Sequence, residues 1–157
     1  MVAIAAVAVS AIDAVGVERA DTQTGGAVER LVTTARSLAA GNDALPPELE
    51  PARDVVELRL PNGGVASAPL ESLTVGPPRT DSRGGAGRSA ATGASTRITW
   101  RVDGGSRHVR QVAGLRIRPD SGDEFTTAGG RQRLVLRLVR RDGRRVVTVS
   151  MGARRFK

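Results

Sequence analysis

His108 is the chain's one imidazole, and there is no cysteine. These two facts bound the available chemistry. Without thiols there is no Cys-built zinc or iron–sulfur site, no disulfide framework and no thiol nucleophile. His108 follows Arg107 and lies two residues before Arg110, with no carboxylate close in sequence to orient it as a general base. It is expected to be an exposed strand residue. Asp120, Asp123 and Glu124 gather around Gly122. Carboxylates in a turn can hold calcium, but the spacing here is not that of an EF-hand, and a polar turn is expected. Ser82, Ser89 and Ser95 lack the G-x-S-x-G elbow that exposes a nucleophilic serine. The string Gly84-Gly85-Ala86-Gly87-Arg88-Ser89 lacks both the Lys-Ser/Thr ending of a phosphate loop and the third glycine of a dinucleotide turn. No catalytic set, metal site or cofactor site emerges, and the chain is expected not to be an enzyme.

The arginines are the stronger candidates. The chain has 157 residues and a formal net charge of +8, from 24 Lys+Arg against 16 Asp+Glu. The charge is unevenly placed. Residues 1–60 hold nine acids and five bases, and residues 61–157 hold seven acids and nineteen bases. All the basic residues are arginine except Lys157. Arg97, Arg101, Arg110, Arg116, Arg118, Arg133 and Arg137 occupy alternating positions in strand-like runs. On one sheet face they would form a guanidinium field for lipid headgroups, an acidic protein or nucleic acid. The alternative is a solvated sheet face in an arginine-rich composition. Nucleic acid is disfavoured, because the aromatics are only Trp100, Phe125 and Phe156, and no docking motif is present.

Elements must position these residues, and the first is helical. Met1–Ile12 carries no charge, and Ala14–Val17 continues apolar after Asp13. The length is at the short limit for a membrane-spanning helix. Residues 1–17 are therefore expected to be a membrane anchor, either as they stand or as the distal part of a helix that starts upstream; a buried core helix is the alternative. No basic n-region marks a secretory signal. From Val28 the apolar positions Leu31, Val32, Ala35, Leu38 and Ala39 trace one helical face. Gly25-Gly26 is expected to kink or divide the helix, Gly41-Asn42 to end it, and Pro46-Pro47 to forbid its continuation.

The remainder reads as strands. Val56, Leu58 and Leu60 alternate with Val55, Glu57 and Arg59. Pro61–Gly64 has turn chemistry, and Leu70–Val75 is a short strand that would pair back. Residues 76–95 contain almost no large apolar side chain and are expected to be a flexible loop. Ile98, Trp100 and Val102 share a face, followed by a turn at Asp103–Ser106. A two-residue Gly-Gly loop there would set Trp100 against Val109 and Arg101 against His108. Leu115–Arg118 is another short piece. Asp142-Gly143 is a type I′ signal, pairing Leu138 with Val147, Leu136 with Val149 and Leu134 with Met151. One face then carries Leu134, Leu136, Leu138, Val147 and Val149 into the core, while Arg133, Val135, Arg137, Val139, Val146, Thr148 and Ser150 fall on the other. The expected fold is α+β: a long N-terminal helix (residues 1–41) packed on an antiparallel sheet of about five to seven strands within residues 42–157.

The order of apolar helix, amphipathic helix, proline crossing and β domain resembles a type IV pilin in outline. The strings AVAVSAIDAVGVERAD, VERLVTTARSLAAG, PARDVVELRLPNG, WRVDGG and GGRQRLVLRLVRRDGRRVVTVS more closely resemble a family of small uncharacterised haloarchaeal proteins encoded beside type IV pilus or secretion genes. Unlike pilins, this chain shows no processing site, and Asp13 is its first acid. The resemblance implies a non-enzymatic, membrane-anchored accessory of a pilus-like or secretion apparatus, with the β domain outside the cytoplasm and pilus or secretion proteins as partners. The runner-up expectation is a soluble basic module that binds polyanions.

Overall fold

A computed structural model describes residues 3–41, 49–64, 67–78 and 94–152, with side chains of the first helix from Ala14 onward. One helix, α1 (Ala3–Gly41), precedes nine strands: β1 (Arg53–Leu60), β2 (Asn62–Gly64), β3 (Ser67–Gly76), β4 (Ser95–Val102), β5 (Arg107–Ala113), β6 (Ile117–Pro119), β7 (Phe125–Thr127), β8 (Gly130–Arg141) and β9 (Arg144–Met151). The fold is α+β, as the sequence leads one to expect.

The helix runs unbroken through Gly25-Gly26. A methyl group at either glycine would meet no neighbour within 4 Å, so neither marks a crossing or a kink. The buried face is Gly16, Ala20, Thr24, Ala27, Val28, Leu31, Val32, Ala35 and Leu38, with steps of three and four dominating. Its first half uses small residues, and Gly16 brings the helix backbone against β3 at Ser67-Ala68. Its second half supplies the bulk. Ala14 and Val15, ahead of Gly16, are exposed. The C-terminal turn has no basic residue of its own. Arg145, from β9, donates to the Ala39 carbonyl at 3.4 Å and places a positive charge at the negative end of the helix.

Among the described residues the strands form two sheets rather than the single sheet expected, and there are nine of them rather than five to seven. The first sheet has the order β1-β8-β9-β6, and the second β2-β3-β4-β5 with β7 also on β3. The shortfall lies in β2 and β7, which have three residues each, while the short piece expected at Leu115–Arg118 overlaps β6. A run of three carries no period to detect. Pro61–Gly64 does not merely turn the chain, since Asn62 and Gly64 pair with Pro69 and Ser67. One pair is parallel, with Ile117 opposite Val147 and Pro119 opposite Val149. The helix packs mainly on β1, in one sheet, and β3, in the other. A single apolar core thus takes side chains from α1 and both sheets.

The C-terminal hairpin has the register its turn dictates: Leu138 faces Val147, Leu136 faces Val149 and Leu134 faces Met151. Leu134, Leu136, Leu138, Val147 and Val149 are all buried in the core. On the opposite face, Val139, Val146 and Thr148 are also buried rather than solvated. The hairpin of β4 and β5 differs from expectation by one residue: Trp100 faces His108, and Arg101 faces Arg107. The turn closes at Val102–Gly105, where the Gly105 N–H donates to the Val102 carbonyl at 2.9 Å. Gly104 takes φ +71°. Ser106 is then an additional loop residue, and the pairing moves by one.

The expected flexible loop at 76–95 reaches into β3 and β4 at its ends, and its residues 79–93, including Ser82 and Gly84–Ser89, lie outside the described residues. So do Pro46-Pro47 and the side chains of residues 1–13. Among the described residues, no helix is long and apolar enough to cross a membrane.

Candidate anion-binding cleft

The seven arginines do not share one face. Arg97 and Arg101 lie on β4 and Arg110 on β5, all in the second sheet. Arg118 lies on β6, with Arg116 just before it, and Arg133 and Arg137 lie on β8, in the first sheet. Two of the seven are committed to internal ion pairs. Arg110 pairs with Glu29 of α1, and Arg101 Nε lies 3.2 Å from Glu71 Oε2 on β3. Arg133 and Arg137 are exposed. Arg97 is half-buried, and its Nε has no hydrogen-bond partner among the described residues.

Arg116 and Arg118 do come together, with two partners the sequence reading passed over. Both are half-buried, and they line a cleft of about 450 Å³ with Arg141 and Arg144, from the two sides of the β8–β9 turn. The topology makes this meeting necessary. Parallel pairing of β6 with β9 lays the approach to β6 beside the start of β9, and the Asp142-Gly143 turn holds Arg141 and Arg144 as its last cross-strand pair. Both Asp142 and Gly143 have positive φ, as a type I′ turn requires. Val146 and Pro119 supply apolar wall, and Asp123 and Asp142 add carboxylates.

The electrostatics are unbalanced. Four guanidiniums face two carboxylates in the lining. The one ion pair from these arginines within 4 Å among the described residues joins Arg141 to Asp120, at 4.0 Å. Arg118 Nη1 donates to its neighbour's carbonyl, at Ile117, 3.1 Å away. Burial, and then the charge of Arg116, hold the Arg118 guanidinium below its ordinary value. Like charges drawn together without matching acids are the arrangement that an anion relieves. Guanidiniums offer paired N–H donors that match carboxylate or phosphate oxygens. Among the described residues, the lining has no hydroxyl, imidazole or amine.

A second grouping forms around His108. Its Nε2 lies 3.0 Å from Oδ2 of Asp21 on α1, 87 residues away. A carboxylate only accepts, so Nε2 carries the proton. The ring stacks on Trp100, with centroids 5.1 Å apart and an interplanar angle of 11°. Asp21 Oδ1 and Trp100 Nε1 are buried and lack partners among the described residues. His108 thus clips the helix to the second sheet and is half-buried, not an exposed strand residue. The acids around Gly122 are exposed. Among the described residues, no three side chains are placed to hold a metal ion.

No curated protein and no solved structure matches this chain. A family model does, over residues 1–152: the family described as "Domain of unknown function (DUF7311)". The matched span takes in α1, both sheets and all four cleft arginines, and the chain belongs to that family.

Proposed function

We propose that this chain is a non-enzymatic accessory protein held at a membrane through its N-terminal segment, in a type IV pilus-like or secretion apparatus, with the β-rich part outside the cytoplasm. One observation carries the reading. Among the described residues the buried face of α1 begins at Gly16, and the uncharged run Met1–Ile12 precedes it in sequence. Val15, just after that run, is 47% exposed. A long helix seated on antiparallel-rich sheets is also the pilin plan in outline. The test is flotation on phospholipid vesicles of the full chain and of a chain lacking residues 1–12. The full chain should float and the shortened one remain below. A full chain that stays in the aqueous fraction overturns the proposal.

A second reading, a basic module that binds polyanions, is favoured by the arginine cleft. Its test is binding to duplex DNA across a salt series. Affinity that falls steeply with salt supports it, and no salt-sensitive affinity disposes of it.

A further inference from the structure

We propose that the cleft between β6 and the β8–β9 turn is a site for a phosphorylated polyol, a ligand carrying a phosphate and neighbouring hydroxyl groups. The proposal rests on the anion-binding reading and narrows it from any polyanion to one chemical class. Three features argue for it.

The first is size. About 450 Å³ lies within the range of small-molecule sites. It is the volume of a ligand with a few functional groups, whereas a polymer needs an open track.

The second is the donor set. Arg116 and Arg118 approach from the β6 side, and Arg141 and Arg144 from the hairpin side. Neither Arg116 nor Arg144 has a carboxylate within 4 Å among the described residues, so their guanidinium donors are not spent on an internal ion pair. Guanidiniums on two sides of a cavity can take different oxygens of one tetrahedral phosphate, each through two N–H groups. Arg116 and Arg118 are half-buried, so their side chains have less freedom to lose when the anion arrives.

The third feature separates a phosphorylated polyol from a bare polyanion. Asp123 and Asp142 line the same cavity and make no ion pair within 4 Å among the described residues. A carboxylate accepts hydrogen bonds and repels phosphate. A DNA backbone or a bare oxyanion would suffer that repulsion with no return. A ligand with hydroxyl groups beside its phosphate satisfies both kinds of lining group at once. Two sources carry this chemistry: a water-soluble sugar phosphate and the headgroup of a phosphoinositide lipid.

The experiment is titration calorimetry of the full chain with glucose 6-phosphate and with inorganic phosphate. Sedimentation with phosphatidylcholine vesicles, with and without phosphatidylinositol 4-phosphate, runs alongside. The expected result is saturable binding that Arg116→Gln and Arg144→Gln each weaken about tenfold. Arg133→Gln, on β8 outside the lining, should leave it unchanged. Asp123→Asn should weaken glucose 6-phosphate but not inorganic phosphate. Thermal melts of each variant check that the fold is kept, and Arg144, exposed at the hairpin, is the substitution least coupled to packing. Saturable binding confined to the phosphoinositide vesicles, with the same sensitivity to Arg116→Gln and Arg144→Gln, supports the site and assigns the headgroup as its source. Equal losses in Arg133→Gln overturn the proposal, because they show diffuse charge. Salt-sensitive DNA binding without saturable binding of either probe overturns it while leaving the broader anion-binding reading standing. Absence of all anion binding ends both.

Discussion

Replacing His108 by alanine tests whether the sheet holds α1 through a side-chain clip or by apolar packing alone. The substitution removes two interactions. One is the ring stack on Trp100, at 5.1 Å and 11°, a type of contact worth about 0.5–1.5 kcal/mol beyond area burial. The other is the hydrogen bond to Asp21 at 3.0 Å, a class worth about 1.5–3 kcal/mol when a charged partner is enclosed. The side chains of His108 and Asp21 retain 40% and 23% of their exposure, so water screens the second contribution to about 1 kcal/mol. With the stack at the lower end of its range, the expected loss is about 1.5 kcal/mol. For a chain of this length that is about 3–6 °C in Tm. Trp100 is the chain's one tryptophan, so its emission reports both on unfolding and on the stacked ring. Urea melts would be followed by that emission for wild type, His108→Ala, His108→Phe and Asp21→Asn. His108→Phe keeps the stack and loses the hydrogen bond, so it should fall between wild type and His108→Ala. A double-mutant cycle of His108→Ala with Asp21→Asn should return a coupling near 1 kcal/mol. A loss below about 0.5 kcal/mol, or a coupling indistinguishable from zero, refutes the clip and leaves the helix held by its apolar face alone.

Three further perturbations probe other joints. Thr96 is fully buried; its Oγ1 donates to the Leu115 carbonyl at 2.8 Å and accepts from the Ile117 N–H at 2.7 Å. Thr96→Val keeps the shape but leaves both backbone groups unsatisfied, and should cost about 2–4 kcal/mol in a urea melt. The double change Gly25→Ala, Gly26→Ala meets no obstacle within 4 Å and should stabilise the protein by about 1.5 kcal/mol, read as a higher urea midpoint at unchanged slope. Gly129→Ala should cost about 2–3 kcal/mol in the same melt. Its methyl group would overlap the Pro61 carbonyl oxygen and come within 2.9 Å of the carbonyl carbon, disturbing the bond that this oxygen accepts from Leu70 N–H.

Much of the framework was legible because local signals agreed. The Asp142-Gly143 turn and the Leu134–Leu138 alternation each demanded the same register, and only one pairing satisfies both. The helical face from Val28 to Leu38 was equally plain. The turn after Trp100 misled because Gly104 and Gly105 invite a two-residue loop, whereas the bond from Gly105 to Val102 closes the turn one residue earlier. That single step decides whether Val109 or His108 stacks on the indole. The cleft was half visible. Arg116 and Arg118 stand out in sequence, but Arg141 and Arg144 look like ordinary flanks of a turn. Nothing local announces that β6 runs parallel to β9 and brings the two pairs together. Asp21 and His108 were beyond reach for the same reason: their contact depends on how α1 lies across the second sheet.

The strand order of the first sheet has a consequence for the timing of folding. Within that sheet, among the described residues, β1 hydrogen-bonds only to β8, and β6 only to β9. Both early strands therefore wait on the last stretch synthesised, residues 130–151. A ribosome that has released α1 and β1 has delivered an apolar helical face and an alternating strand whose sheet partner does not yet exist. Pairings of such long sequence separation close slowly, after much chain entropy has been spent. Until then the apolar surfaces that face the first sheet stay uncovered, a state open to a chaperone or a translocation channel. The completion of β9, rather than the emergence of the helix, ends that interval.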